Sequence, residues 1–162
     1  LTFVREAVMK FIHISDIHLV SQEGPLNGSF PSERLEKCLD DILKWHADAE
    51  FCVISGDLSE FAEKEAYQSL KNRLQEFPVP IFLMIGNHDD RDLFQTIFPD
   101  YPCDQNNFVQ MSFETSEGIF LFLDTKKQGK NVHDGELCEK RLAWLKMQLI
   151  KSGTKKTYLF MH

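Results

Sequence analysis

Three strand-length runs in this chain are apolar at nearly every position, and each stops abruptly at a short polar sequence. KFIHIS (Lys10–Ser15) runs into Asp16-Ile17-His18, FCVIS (Phe51–Ser55) into Gly56-Asp57, and IFLMI (Ile81–Ile85) into Gly86-Asn87-His88-Asp89. A strand with one wet face alternates polar and apolar residues. One that is apolar throughout is buried on both faces, as in a parallel sheet covered by helices. In open sheets of that kind the C-terminal strand ends meet at one crevice. The pattern therefore points to the α/β class and gathers three polar loops into one place.

The segments between these runs have helical periodicity. After a Gly/Pro/Asn/Ser-rich loop from Ser21 to Pro31, Ser32 is read as the N-cap of a helix with Leu35, Cys38, Leu39, Ile42 and Trp45 on one face. A second helix carries Ala66, Tyr67, Leu70, Leu74 and Phe77, and a short one spans Leu93 to Phe98. FVQMSF (Phe108–Phe113) and IFLFL (Ile119–Leu123) flank Glu117-Gly118 as an antiparallel hairpin. An amphipathic helix with Cys138, Leu142, Leu145 and Leu149 in register follows, and then a buried strand, TYLFM (Thr157–Met161), just before His162.

With 162 residues there is room for one domain with a core. No apolar run approaches the roughly 20 residues that cross a bilayer. A net charge of -7 repels nucleic-acid backbone, so neither a membrane nor a nucleic acid is expected as partner. The basic stretch Lys126-Lys127-Gln128-Gly129-Lys130 reads as a solvated loop. Cys38, Cys52, Cys103 and Cys138 form no CxxC pair and are expected to stay reduced. That fits a cytoplasmic setting, as does LTFVREAV at the start, which lacks the apolar core of a signal peptide. Met9 is read as the natural start, with residues 1–8 as an upstream extension.

The three strand ends assemble Asp16, His18, Asp57, Asn87 and His88. Oxygen and imidazole donors without thiolate suit hard or borderline divalent ions such as Mn²⁺, Fe²⁺ or Zn²⁺. Gly56 and Gly86 allow close approach of backbone to an ion or phosphate. Asp57, on the middle loop and with two oxygens, is placed to bridge two ions about 3.5–4 Å apart, a spacing that polarises a phosphoryl group and generates a hydroxide nucleophile. Two such ions carry more positive charge than Asp16, Asp57 and that hydroxide cancel, which leaves the site attractive to an anionic ester. His88, projecting opposite Asn87, would bind a phosphate oxygen or protonate the leaving alkoxide. Asp89 is read as the carboxylate that orients His88.

SDIHL, SGDLSE and GNHDDR, in this order and each after a strand, resemble the calcineurin-like metallophosphoesterases, whose pattern runs D-x-H, GD, GNH(D/E), a His, then G-H-x-H. The resemblance covers Met9 to His162. With LDT at Leu123–Thr125, DGEL at Asp134–Leu137 and Trp144-Leu145, it is closest to the class III cyclic nucleotide phosphodiesterase branch. It implies the N-terminal part of an α/β/β/α sandwich and a binuclear centre. In that centre Asp16 and His18 bind the first metal, Asp57 bridges, and Asn87 binds the second. His162 matches the next metal-binding His, and His88 assists the leaving group. The chain stops before G-H-x-H, so the domain at 9–162 is expected to be C-terminally incomplete.

The expected activity of the complete protein is hydrolysis of a small phosphodiester, a 3′,5′-cyclic nucleotide being the leading candidate. The alternative is a catalytically incompetent fragment with weak metal binding or only an interaction role, prone to self-association through an exposed sheet face. Several residues are assigned plainer roles. His13 is a satisfied strand histidine and His46 a helix-terminus residue. His133 is a loop residue with a substrate contact as the second reading, and Asp124 a turn residue that could also reach the crevice. Met84, Met111 and Met161 are core filler, and Cys103 has no evident partner.

Overall fold

A computed structural model describes residues 9–22, 24–129 and 133–162; the upstream extension expected at 1–8 and Lys130 of the basic stretch lie outside them. Among the described residues two three-stranded sheets lie face to face. The first is wholly parallel, in the order β1 (Phe11–Ile14), β2 (Phe51–Ser55), β3 (Ile81–Met84). The second orders β4 (Met111–Thr115), β5 (Gly118–Phe122) and β6 (Thr157–Phe160), with β4 antiparallel and β6 parallel to β5. Helices α1 (Pro31–Trp45), α2 (Lys64–Leu74) and α3 (Arg91–Ile97) cover the outer face of the first sheet, and α4 (Glu139–Ser152) covers that of the second. The layers run α/β/β/α.

The period of two divides each apolar run between two cores. Phe51 and Val53 of β2 face the second sheet and meet Phe120 and Phe122, whereas Cys52 and Ile54 face the helices with Leu35, Leu39, Tyr67, Leu70 and Phe94. The inter-sheet layer is aromatic: Phe51 meets Phe120 edge-on at 5.1 Å, and Phe82 stacks on Phe122 at 4.9 Å. At about 1.5–3 kcal/mol per buried large apolar side chain, such pairs dominate the adhesion of the two sheets.

Some local expectations are corrected. Helix α1 begins one residue before Ser32: Pro31 takes the first helical position, where its missing N–H costs nothing, and Phe30 is the N-cap. Trp45 lies out of the core, under the Lys44 ammonium at 4.7 Å. In α4 the inward stripe is Arg141, Trp144, Leu145 and Ser152, while Leu142 and Leu149 are exposed and Cys138 is the N-cap. Buried Asp124, at the end of β5, draws Arg141 inward and so rotates the leucines out. Strand β6 is half-exposed, and Met161 is exposed rather than core filler. The four cysteines are free thiols, with Cys103 taking a hydrogen bond from Gln95. His13 bonds Ser55 Oγ at 2.7 Å, and His46 is the C-cap of α1, as expected. No described helix is long and apolar enough to cross a membrane.

Candidate functional site

Past their last residues, β1 and β2 keep pairing through the loops: Asp16 N donates to Gly56 O, His18 N to Asp57 O and Leu19 N to Leu58 O, at 3.2, 2.9 and 3.0 Å. Within this zipper Asp16, His18 and Asp57 all adopt the left-handed backbone, at φ 58°, 46° and 49°. Each such residue costs about 1–2 kcal/mol. Three at adjoining strand ends mark a place where side-chain direction outweighs backbone comfort. The result is one cluster in which the ligand atoms of Asp16, His18 and Asp57 lie within 4.8 Å of one another.

The glycines make this packing possible. A Cβ on Gly86 would fall on the Asp57 carboxylate and amide nitrogen, and one on Gly56 would sit 2.7 Å from the His162 ring. The tight neighbours of the two glycines are thus the site's own residues, Asp57 and His162.

His162 and His88 are each held by Nδ1 and offer Nε2, while His18 lies with Nδ1 against a carboxylate. His162 Nδ1 lies 2.8 Å from the Ser55 carbonyl, so Nδ1 carries the hydrogen, and Nε2 points at Asp57 Oδ2 (3.3 Å) and Asn87 Oδ1 (3.2 Å). His18 Nδ1 is 2.7 Å from a Glu60 carboxylate oxygen, and its Nε2 faces Asp16 Oδ1 (3.6 Å) and Asp57 Oδ2 (3.7 Å). Asp57 Oδ2 therefore stands between the Asp16–His18 pair and the Asn87–His162 pair. His88 donates Nδ1–H to the Glu60 carbonyl at 2.9 Å and its backbone N–H to Asp57 Oδ1 at 3.0 Å. Its ring lies 5.0 Å from that of His18. The other five predicted residues thus gather around Asp57.

Burial alone would raise the Asp57 carboxyl, but hydrogen bonds from His162 and His88 N–H hold it below the ordinary carboxylate value. The same contact with Asp57 outweighs burial at His162 and pushes that imidazole up to about 9. A proton between His162 and Asp57 thus occupies a position suited to a cation. Carboxylates, an amide oxygen and imidazole Nε2 atoms, with the His162 ring fixed through Nδ1, are the donor set of a hard or borderline divalent ion. The residues fit such an ion.

Asp89 does not orient His88. Its buried carboxylate turns inward and accepts from Gly86 N (2.7 Å), Ser59 N (3.0 Å), Leu58 N (3.1 Å) and Tyr67 Oη (2.9 Å), tying the second and third loops to α2. Asp90 next to it caps α3 through Leu93 N. Asp124 is also turned from the crevice: fully buried, it forks with Arg91 at 2.6 and 2.8 Å and closes a turn through Lys126 N. His133 reaches the rim, with Nδ1 3.5 Å from Asn87 Nδ2. Two contributors were not foreseen. Glu60 contacts both His18 and His88, and its only sequence signal is an acid three residues after Asp57. Lys126, in the stretch read as a solvated loop, is half-buried and donates Nζ to the Asn87 carbonyl at 3.0 Å.

The chain belongs to the calcineurin-like phosphoesterase family, whose pattern matches residues 9–162. It is 36% identical over 155 residues to a Rhodopseudomonas palustris protein named "probable cyclic nucleotide phosphodiesterase", covering 95% of this chain and 57% of the relative. It is 29% identical over 157 residues to a "probable glycerophosphodiester phosphodiesterase" of Arcobacter nitrofigilis, covering 95% and 56%. With the 3′,5′-cyclic adenosine monophosphate phosphodiesterase of Escherichia coli it shares 28% over 158 residues, covering 97% and 56%. The chain thus spans little more than half the length of these relatives.

Proposed function

We propose that this chain carries the metal-binding and phosphoryl-handling residues of a phosphodiester hydrolase acting on 3′,5′-cyclic nucleotides. The observation that carries the reading is the convergence of His18 Nε2 and His162 Nε2 on Asp57 Oδ2, with Asp16 and Asn87 on either side. Asp16 and His18 would hold one divalent ion, Asn87 and His162 a second, and Asp57 both. Bound there, Mn²⁺, Fe²⁺ or Zn²⁺ would supply positive charge to the phosphoryl oxygens and acidify water for use as nucleophile.

The chain's own groups do the rest. The Glu60 carbonyl fixes the His88 ring, its carboxylate stands against His18 Nδ1, and Lys126 braces the backbone of Asn87. With Nδ1 committed to a carbonyl, His88 exchanges protons through Nε2, and in its charged form it protonates the departing alkoxide. The relatives' printed activities support the substrate class. The free thiols and the net charge of -7 favour a cytoplasmic protein acting on a small ester rather than a polyanion.

The test is hydrolysis of 3′,5′-cyclic AMP by this chain with Mn²⁺. His88→Ala is expected to slow it by about 10²–10⁴-fold, the worth of a positioned general acid. Turnover indifferent to Mn²⁺ or to His88→Ala would overturn the reading.

A further inference from the structure

Beside the metal-ligand cluster a cleft of ≈ 740 Å³ opens, with Asn87, His88, Lys126 and His133 among its walls and Phe61 on its rim. Phe61 is 65% exposed. Single exposed aromatics are ordinary, but Phe61 differs from Trp45, the other one of similar exposure, which is covered by Lys44. Among the described residues no ring or cation packs on Phe61.

The segment bearing it is tightly held. Glu60 N donates to Leu19 O at 2.9 Å, Glu63 N donates to Ser59 Oγ at 3.2 Å, and the Glu63 carboxylate accepts from Ser21 N at 2.9 Å and from its hydroxyl. Ala62 is left-handed at φ 51°, which is unfavourable for alanine. A strained, anchored turn thus presents a bare ring to solvent. The residue before it touches the His88 imidazole through its carbonyl, so the ring stands one residue from the group that meets the phosphate.

We propose that Phe61 is the platform on which the substrate's planar heteroaromatic base stacks, making this cleft selective for nucleoside phosphodiesters over esters of aliphatic alcohols. The inference rests on the phosphodiesterase reading and supplies its specificity element. Both kinds of ester appear in the names of the relatives, and an aliphatic alcohol gains nothing from a flat ring. A base gains about 5- to 150-fold in affinity by stacking on an aromatic, whichever base it is. The selectivity is accordingly for a base as such and not for adenine.

The test compares binding of AMP and ribose 5-phosphate, with Mn²⁺ present, to the chain and to Phe61→Ala and Phe61→Trp. AMP should bind at least about fivefold tighter than ribose 5-phosphate, the ratio falling toward one in Phe61→Ala and persisting in Phe61→Trp. The ratio of kcat/KM for cyclic AMP over glycerophosphoethanolamine should fall with it. Equal affinities in the unmodified chain, absence of binding by both included, would overturn the proposal. So would a ratio that Phe61→Ala leaves intact. An intact chain that discriminates as expected but hydrolyses neither ester would support the stacking platform and sink the catalytic reading.

Discussion

Replacing Asp89 by Asn separates two accounts of the carboxylate beneath the site. Burial pushes this carboxyl above its ordinary value, yet every partner it has is a donor. Ionised, it accepts from all of them. An Asn has one acceptor oxygen. Set at the Oδ1 position, that oxygen keeps Ser59 N, Tyr67 Oη and one arm of Leu58 N, but the amide then meets the Gly86 N–H donor to donor. A hydrogen bond to a charged group is worth about 1.5–3 kcal/mol, and an orphaned buried N–H adds about 1–3 kcal/mol. Relief of the buried charge offsets part of this, so the expected loss is about 2–3 kcal/mol. With a urea slope near 2 kcal/mol per molar, the midpoint should fall by about 1–1.5 M at unchanged slope. Tryptophan fluorescence in chelator, at neutral pH, reads it. A variant within about 0.5 kcal/mol of the parent would show that the acid is protonated in the fold and refute the ionised hub.

Three further outcomes follow from the same contacts. The folded His162 pKa near 9 exceeds its ordinary 6.5, so in chelator the stabilisation from Asp57 should be complete below pH 6.5 and lost as pH rises through 9; urea midpoints across that range should decline in the parent and stay flat in His162→Gln. Gly86→Ala places a methyl on the Asp57 carboxylate and backbone, and should cost about 1–3 kcal/mol of stability and at least tenfold in Mn²⁺ affinity, by urea titration and calorimetry. Asp124→Ala leaves Arg91 and Arg141 facing a vacated buried acid and should lower stability by about 3–5 kcal/mol in the same denaturation assay.

The polar cluster at the strand ends was legible because a covalent neighbour carries both signals: an apolar run announces the strand, and the next residues are delivered to its C-terminal end. Asp16, His18, Asp57, Asn87 and His88 needed no further information. Glu60 was not legible, since its reach to His18 depends on left-handed turns at Asp57 and Ala62 that periodicity does not encode. Asp89 was misread for a related reason. Sequence adjacency put it beside His88, but the turn that Asp89 N–H closes on the Gly86 carbonyl leaves its carboxylate among four donors. In α4 the leucine spacing was real, but burial followed Arg141, whose counter-ion Asp124 lies at the end of β5, 17 residues earlier in the chain.

The most direct measurement is the equilibrium binding of Mn²⁺ to the chain and to Asp57→Asn. Asn tolerates the left-handed backbone that Asp57 occupies, so the variant changes the charge and one donor while sparing the turn. Saturable Mn²⁺ binding is expected, with release of the proton shared by His162 and Asp57, and a loss of at least tenfold in affinity in Asp57→Asn. Binding of equal strength in the two proteins, or no binding to the parent, would contradict it.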